Sequence, residues 1–428
     1  MSAESDDRER SRRDFLRTIA GTATLSLGGR LAPLRAAPAR SAANPLRVRT
    51  ITAGVPLRDP RDLARVEAAL GVLERARQRF MEEGYEVQTL RITTPAFLAH
   101  ADARTRDAAL APLQALDALT TARGVRVSIG PVLTADRLDT ELAPWVAELI
   151  RTTRNLNATV SVTSPDRGEA PAAATVAARV MADLARTTSG GIGNFRFAAI
   201  ANVRPGTPFF PAGYHDGPEA LAVGMEAAGL VEAAARDGDA ARVTERLRER
   251  MNAAFAPVER ITSAVARREG RVYLGIDPSP APGKDRSIGA GIEAITGVPF
   301  GSASTLGACA AITRALKSLD ARTCGYAGLM LPVLEDPVLA QRATEGRFGV
   351  QDLLLYSSVC GTGLDVVPLP ADTPVDVAAR LITDVAILAS HLDKPLSARL
   401  FLIPGRQAGE VARFDDPYLT DCAVMPLR

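Results

Sequence analysis

Short apolar segments alternate with longer segments of helical periodicity along most of the chain. Residues 46–53 are rich in β-branched side chains and alternate in polarity, as a half-buried strand does. After them, apolar residues from Leu63 to Phe80 recur at intervals of three and four, which predicts a helix. Asp59 is predicted to cap this helix and Gly84 to end it. The first part of the pattern therefore predicts a strand followed by a helix.

This alternation continues to the C-terminus and predicts an α/β fold. Further strands are predicted at 85–93, 125–129, 157–163, 195–202, 271–277, 324–333, 363–369, 397–403 and 421–427. Helices are predicted in a stretch that ends near residue 123 and at 142–154, 172–187 and 217–269. About ten strands separated by helices predict a mainly parallel sheet, either doubly wound or closed into a barrel. The pattern alone leaves both arrangements open.

The composition is that of an ordinary globular protein with enough apolar residues for a large core. Of the 428 residues, 46% are hydrophobic and 23% are charged, and the net charge is +2 with histidine neutral. Beyond the N-terminal segment, no cluster of basic and aromatic residues is present, so nucleic-acid binding is not predicted. No linker or repeat divides the rest of the chain, and we expect a single domain over 44–428.

The N-terminal segment, residues 1–43, has the pattern of a twin-arginine export signal followed by a flexible linker. Arg12 and Arg13 precede a weakly apolar run from Thr18 to Gly29, and a region of small residues follows. The run is too short and too rich in Gly and Thr to anchor the protein stably in a membrane. We therefore expect the twin-arginine translocation machinery to export this protein to the periplasm or the cell exterior.

A turn of small residues around Cys360 is the most distinctive motif of the chain. The turn Cys360-Gly-Thr-Gly-Leu-Asp365 leads into a predicted strand, and Pro370-Ala-Asp-Thr-Pro374 opens the next predicted helix. The whole stretch resembles the Cys-Ser-Val-Gly-Leu-Asp and Pro-x-Asp-Thr-Pro segment of the DUF711 (UPF0210) family. In this chain, Gly and Thr stand in place of the Ser-Val that commonly follows the cysteine in that family.

Other segments resemble the same family and occur in the same order. They are Arg49-Thr50-Ile51-Thr52, Asn202 with the segment 208–215, the segment 277–282, and Gly325-Tyr326-Ala327-Gly328. The resemblance covers residues 46–428 and implies an α/β barrel of the pyruvate-formate-lyase type, with ten strands in two half-barrels around a cysteine-bearing loop. The C-terminus lacks the Arg-Val-x-Gly-x motif of radical lyases with that fold, so we expect no glycyl radical.

Three residues are candidates for catalysis. Cys360 is the leading nucleophile because a thiolate is the most reactive side chain near neutral pH, and the alternative is a thiol packed in the core. His215, in a glycine-flanked loop, is a candidate general base or metal ligand, or else a residue that caps its loop. Asp277 ends a predicted strand, where it could orient an imidazole, bind a divalent cation or cap the loop.

Five further polar residues are predicted to bind substrate. They are Asn202, Tyr214, Ser279, Ser287 and Asp365. No sequence motif for zinc, ATP or NAD is present, and a divalent metal ion stays open as a cofactor. The four cysteines have no CxxC spacing, so we expect most of them to be free thiols.

Together these features predict an exported small-molecule enzyme without radical chemistry. A hydrolase or transferase that uses Cys360, His215 and Asp277 at one end of a barrel is the first hypothesis. The alternative is a periplasmic binding or scaffold protein that keeps the fold without catalysis. Both hypotheses require a small-molecule ligand and no nucleic acid, and the sequence leaves a homodimer open.

Overall fold

Strands and helices alternate along the folded part of the chain. The computed structural model describes residues 46–164, 168–236, 240–283 and 285–427, and the predicted export segment lies outside them. The strands are β1 (Arg47–Gly54), β2 (Val87–Thr93), β3 (Val125–Pro131), β4 (Leu156–Ser161), β5 (Thr163–Ser164), β6 (Gly168–Glu169), β7 (Phe197–Ala201), β8 (Ala220–Glu226), β9 (Val272–Asp277), β10 (Gly363–Pro370), β11 (Leu396–Ile403), β12 (Val411–Ala412) and β13 (Cys422–Ala423). The α-helices are α1 (Leu63–Glu82), α2 (Ala103–Thr121), α3 (Leu142–Thr152), α4 (Pro171–Thr187), α5 (Ala228–Arg236), α6 (Val243–Arg268), α7 (Ile288–Thr296), α8 (Thr305–Lys317), α9 (Pro337–Thr344), α10 (Val350–Ser357) and α11 (Val375–His391). Among the described residues, no helix combines the length and apolar character that crossing a membrane requires.

Nine of these strands form one mostly parallel sheet, in the order β10-β11-β7-β4-β3-β2-β1-β8-β9. Strands β1 to β4 and β7 are parallel to one another, whereas β8 is antiparallel to β1 and β11 is antiparallel to β7. The edge strands β9 and β10 are parallel to their neighbours β8 and β11. The predicted α/β class is confirmed. The predicted closed barrel of ten strands is not confirmed, because this sheet keeps two edges.

The prediction of a strand at 324–333 is wrong. The segment lies between the two edge strands but forms only isolated bridges with them, at Thr323 and Pro332. Gly325 and Ala327 have left-handed backbone angles, with φ of 69° and 46°. Because a continuous ladder needs extended angles at successive residues, this segment cannot extend the sheet on either side.

The prediction of a long helical section at 217–269 is wrong at its beginning. Residues 220–226 form β8, which is buried throughout and pairs with β1 on one side and β9 on the other. Their sequence is short, apolar and rich in alanine, so periodicity alone could not distinguish a buried strand from a buried helix. Pairing with distant strands decides the conformation, and helices α5 and α6 follow.

The two faces of the sheet pack against different partners, as β7 illustrates. Phe197 and Ala199 belong to the large apolar core, which includes the helices that contact the sheet. Ala198 and Ile200 belong instead to a second, smaller apolar cluster. Because successive side chains of a strand point to opposite faces, the second cluster lies on the face away from the large core. We call the face away from the large core the inner face of the sheet. It also carries several charged residues.

Candidate functional site

A small cavity on the inner face of the sheet is lined by six charged side chains among polar and apolar ones. Its volume is about 40 Å³. Glu335, Tyr418 and Phe210 form part of its wall, and we call it the arginine cavity. The strands contribute Arg49 (β1), Thr89 and Arg91 (β2), Arg126 (β3), Asn157 (β4), Asp365 (β10) and Arg399 (β11).

Alternation within the strands places these polar residues in the cavity. The cavity residue stands between two core residues in Leu90-Arg91-Ile92 on β2 and in Val125-Arg126-Val127 on β3. Ala398-Arg399-Leu400 on β11 has the same pattern. Because neighbouring side chains point to opposite faces, the apolar residues join the large core while each arginine points into the cavity.

Two of the four arginines are bound by carboxylates. Arg399 donates from Nη2 to Glu335 at 2.6 Å and from Nε to Oδ1 of Asp365 at 2.7 Å. Arg49 donates from Nη2 to the other oxygen of Glu335 at 2.9 Å. Glu335 therefore bridges two arginines through both oxygens. Within the described residues, the Oδ2 atom of Asp365 makes no hydrogen bond.

The pKa values of Asp365 and Glu335 are shifted in opposite directions. Burial raises the pKa of Asp365, and the Glu335 carboxylate raises it further, against the opposing charge of Arg399. Burial acts in the same way on Glu335, but the positive charges of Arg399 and Arg49 outweigh it and lower the pKa of Glu335. Two carboxyl groups whose pKa values are shifted apart in this way supply a fixed anion, Glu335, and a group able to exchange a proton, Asp365.

The other two arginines, Arg91 and Arg126, have no carboxylate partner within the described residues. They are directly opposite each other in the register of β2 and β3, whose backbones lie about 4.8 Å apart. Arg91 is 5% exposed, and its Nε atom is buried without a hydrogen-bond partner. Burial and the charges of Arg126 and Arg49 lower the pKa of Arg91 well below its usual range. Two like charges in this position repel each other unless an anion lies between them.

Aromatic rings and a backbone carbonyl hold these two guanidinium groups in place. Arg91 lies over the Phe210 ring at 4.9 Å and donates to the Pro208 carbonyl at 3.2 Å. Arg126 lies over the Tyr418 ring at 5.1 Å. Such contacts orient a guanidinium group but leave its charge uncompensated. Both arginines are therefore positioned for a ligand that carries the missing negative charge.

The charge balance of the arginine cavity suits an anionic ligand. Four arginines face two carboxylates, Glu335 and Asp365, which leaves an excess of two positive charges (four minus two). Guanidinium groups match the planar geometry of carboxylates particularly well. Within the described ranges, no group of three or more His, Cys, Asp or Glu side chains is placed to hold a metal ion. The excess of positive charge therefore suits a small anion.

Asp277, predicted to orient an imidazole, bind a divalent cation or cap its loop, accepts four hydrogen bonds at the end of β9. Its donors are the backbone N–H and the hydroxyl of Ser279, at 3.0 and 2.6 Å, and the backbone N–H groups of Tyr326 and Ala327, at 2.9 and 3.2 Å. The Ser279 hydroxyl in turn accepts from the backbone N–H of Gly328 at 3.1 Å. Asp277 and Ser279 therefore hold the loop between the two edge strands in place.

His215, predicted as a general base or a metal ligand, is buried against the end of β1. Its Nε2 atom lies 2.8 Å from the Pro218 carbonyl, so this nitrogen carries the proton, because a carbonyl oxygen can only accept. Its Nδ1 atom is buried without a partner against Gly54, where an added Cβ atom would lie 2.3 Å away. Burial lowers the pKa of His215, and the ring is packed in its neutral form.

We expect this packing to make stability depend on the protonation of His215. A base whose pKa is lowered by folding stabilises the protein above its unfolded pKa of about 6.5, and that stabilisation is lost as the pH falls below this value. Between pH 7 and pH 5, the unfolding free energy of the wild type should therefore fall relative to that of a His215→Gln variant. The slope should be no steeper than about 1.4 kcal/mol per pH unit.

Urea denaturation of both proteins across this pH range measures the difference. A variant of the exposed His391, His391→Gln, serves as the matched control and should follow the wild type. If the wild type and the His215→Gln variant lose stability in parallel on acidification, the proposed neutral packing of His215 is incorrect.

Cys360, predicted as the nucleophile, is 1% exposed and belongs to the large apolar core. It does not line the arginine cavity. The ammonium group of Lys394 lies close by and donates to the carbonyls of Ser357, Ser358 and Cys360 at 2.5, 2.9 and 2.6 Å. Lys394 therefore caps the C-terminal end of α10. All four cysteines of the chain are free thiols in the structure.

No hydrogen bond joins any two of the side chains of Cys360, His215 and Asp277. His215 contacts the end of β1, which pairs with the beginning of β8, and the beginning of β8 pairs with the beginning of β9. Asp277 lies at the opposite end of β9. Gly361, next to Cys360, packs against Gly328 in the loop that Asp277 holds. The cysteine turn and Asp277 therefore flank the same loop, and His215 lies elsewhere. The catalytic roles of the three residues stay predictions.

Of the residues predicted to bind substrate, Asp365 lines the arginine cavity, and the others contact the protein backbone. The amide of Asn202 donates to the Ala389 carbonyl at 3.0 Å, and the Tyr214 hydroxyl donates to the Val203 carbonyl at 2.9 Å. The Ser287 hydroxyl caps α7 by accepting from the backbone N–H of Ala290. The Ser279 hydroxyl accepts from the backbone N–H of Gly328. Substrate binding by these four residues stays a prediction.

The arginines of the cavity are functional candidates that sequence reasoning missed. Their signal is a single arginine between apolar residues in the middle of each of several predicted strands. A charged residue at that position is equally typical of a strand with one face in water. The pattern could therefore reveal the cavity only if the order of the strands in the sheet were also known.

Comparison with known proteins identifies relatives of this chain. A family model described as "Uncharacterised ACR (DUF711)" matches residues 42–415. A UPF0210 protein of Pyrobaculum arsenaticum is 36% identical over 231 residues, which are 50% of this chain and 51% of the relative. UPF0210 proteins of Desulforudis audaxviator and Methanopyrus kandleri are 28% and 29% identical, over 72% and 85% of this chain and 72% and 88% of the relatives. The matched region thus spans about half the length of the Pyrobaculum protein and most of the other two.

Proposed function

The chain belongs to the DUF711 family, which is described as uncharacterised, and we propose a function from the geometry of its arginine cavity. The protein is a small-molecule enzyme that binds a small carboxylate at Arg91 and Arg126 and moves a proton with Asp365. The observation that carries this proposal is the facing pair of arginines, one of them with a buried and unpartnered Nε atom.

The volume of the arginine cavity favours a carboxylate over larger anions. One water molecule needs roughly 10–15 Å³ of such a volume, so about 40 Å³ accommodates about three water-sized groups. A carboxylate group consists of three heavy atoms, whereas phosphate has five. A carboxylate therefore fits beside the two arginines without rearrangement of the walls.

Asp365 is the group in the cavity best suited to exchange a proton. Its raised pKa and its free Oδ2 atom distinguish it from Glu335, which is bound through both oxygens. In the proposed step, Oδ2 takes a proton from the carbon next to the carboxylate, and the electron pair of that C–H bond moves toward the carboxylate. Arg91 and Arg126 stabilise the negative charge that develops there. Return of the proton from Asp365 completes the step without another reactant.

We expect the full-length protein to bind acetate and to discriminate against the neutral isostere acetamide by at least about tenfold, which corresponds to about 1.4 kcal/mol. Acetate has four heavy atoms, so its Kd can be no tighter than about 40 μM at about 1.5 kcal/mol per atom. Isothermal titration calorimetry measures both ligands, with phosphate as the anion that is too large. Equal affinity for acetate and acetamide, or no acetate binding, would overturn the proposed ligand class.

A proton-exchange measurement distinguishes the proposed enzyme from the alternative, a binding protein without catalysis. Small carboxylates are incubated with the protein in deuterium oxide, and loss of the C–H signal next to the carboxylate is followed by NMR. The wild type is expected to exchange this hydrogen in at least one of the carboxylates. Asp365→Asn is expected to abolish the exchange, while its side chain, of similar size, still lines the cavity. Binding without exchange in the wild type would favour the alternative, a binding or scaffold protein.

We also propose that the loop at 323–332 forms an irregular wall between the two edge strands and helps to enclose the cavity. The isolated bridges at Thr323 and Pro332 support this, since each connects the loop to one edge. This arrangement would relate the open nine-stranded sheet to the barrel that the family resemblance implies.

Export by the twin-arginine route is the proposed cellular context of this enzyme. The Arg12-Arg13 pair and the weakly apolar run that follows it support the proposal. Replacing both arginines with lysine is expected to leave the protein full-length inside the cell, because the translocation machinery reads the arginine pair. Cell fractionation with immunoblotting measures this, and unchanged processing and location of the variant would contradict export by this route.

A further inference from the structure

A second, smaller cavity adjoins the arginine cavity on the inner face of the sheet. Its volume is about 20 Å³, which accommodates about one water-sized group. Because the two cavities have a common wall, a ligand in the arginine cavity has the second cavity as a neighbouring space. The residues that line both are Phe209, Phe210, Met330, Asp365 and Arg399.

The residues that line only the second cavity are three with a hydroxyl group and three apolar ones, and none of them is charged. Thr362, Ser397 and Tyr326 line only this cavity. The Ser397 hydroxyl donates to the Thr362 carbonyl at 3.0 Å. Thr362 itself is 2% exposed, and its Oγ1 atom is buried without a hydrogen-bond partner. A buried hydroxyl that lines a cavity without a partner is a group to which a ligand can bind.

We propose that the substrate is a small 2-hydroxycarboxylate whose carboxylate binds Arg91 and Arg126 and whose hydroxyl occupies the second cavity beside Thr362. This inference rests on the proposed function and names its substrate class. The Thr362 hydroxyl donates to, or accepts from, the ligand hydroxyl. Asp365, which lines both cavities, faces the carbon that carries the two groups.

The sizes and polarities of the two cavities agree with this class. Together the two cavities accommodate about four to six water-sized groups, and glycolate, the two-carbon 2-hydroxycarboxylate, has five heavy atoms. A methyl group would fit the second cavity by size but would leave the Thr362 hydroxyl unpartnered in an apolar contact. A site that hydrogen-bonds a hydroxyl therefore selects against ligands that lack it.

The test compares glycolate, which has the hydroxyl, with acetate, which lacks it, by calorimetry on the full-length protein. The wild type is expected to bind glycolate about tenfold or more tightly than acetate. Thr362→Val, which replaces the hydroxyl with a methyl group of similar size, is expected to remove this preference and to leave the Kd of acetate within about twofold. Thr159→Val is the matched control, since the Oγ1 atom of Thr159 is also buried and unpartnered but lines neither cavity.

The outcomes distinguish this inference from the proposed function. If neither ligand binds, the proposed carboxylate site fails and the hydroxy-acid class fails with it. If acetate binds but glycolate has no advantage, or if Thr362→Val keeps the advantage, only the assignment of the second cavity is wrong. Loss of the preference in Thr159→Val as well would show that the effect is indirect, and it would also overturn the assignment to Thr362.

Discussion

A full-length protein in which Arg91 is replaced by methionine is expected to bind acetate roughly 10- to 150-fold more weakly than the wild type. A hydrogen bond between a buried guanidinium and a carboxylate contributes about 1.5–3 kcal/mol, and about 1.4 kcal/mol corresponds to a factor of ten in Kd. Methionine keeps most of the apolar volume of the side chain and removes the charge. Isothermal titration calorimetry measures the change.

The same substitution should leave the unliganded protein within about 1 kcal/mol of the wild-type stability. Removal of Arg91 relieves its repulsion with Arg126, and this gain offsets the lost contact with Phe210. The Pro208 carbonyl keeps a donor, because the Thr52 hydroxyl also donates to it, at 3.2 Å. A large effect on binding with a small effect on stability identifies a residue that serves a ligand.

Arg106→Met is the matched control for this experiment. Arg106 is also buried, but it is bound to Asp139 through two hydrogen bonds of 2.9 and 3.1 Å and does not line the arginine cavity. Its removal leaves the buried Asp139 carboxylate with Arg137, at 3.3 Å, as its remaining ion-pair partner among the described residues, and should cost about 1.5–3 kcal/mol, with acetate affinity unchanged. If Arg91→Met shows this same pattern, Arg91 is a structural residue and the proposed anion site is incorrect.

Asp277→Ala is expected to lower the unfolding free energy by about 3–6 kcal/mol. The carboxylate accepts from three backbone N–H groups and from the Ser279 hydroxyl, and each buried donor left without an acceptor costs about 1–3 kcal/mol. Domains of this kind are stable by only about 5–15 kcal/mol, so the variant should be severely destabilised. Urea denaturation monitored by circular dichroism measures the loss.

Two further variants make this prediction specific. Asp277→Asn keeps one carbonyl oxygen but turns a donor toward the backbone N–H of Tyr326, so its loss should be smaller, about 1–3 kcal/mol. Asp376→Ala removes an exposed carboxylate whose partner is Arg380, and it should leave the stability close to that of the wild type. If Asp277→Ala is as stable as Asp376→Ala, Asp277 does not hold the loop.

Most elements could be predicted from the sequence because burial leaves a local periodic pattern. The strands predicted at 85–93, 125–129, 363–369 and 397–403 are present as β2, β3, β10 and β11. The pattern failed where the same local sequence is compatible with two conformations, a buried strand and a buried helix. Residues 220–226 are as apolar and alanine-rich as a buried helix, and only pairing with β1 and β9 makes them a strand.

The sequence by itself determined the α/β class, the family and the place of Asp365 among the candidate residues. Only the tertiary structure decided that Arg91 and Arg126 face each other, because their opposition is the register of two strands separated by a helix. It also decided that Arg399 and Glu335, distant in the chain, bind each other and leave Arg91 and Arg126 without a carboxylate partner among the described residues. A local pattern records that a side chain is buried, but the partner it meets there depends on strand order and register, which no local pattern contains.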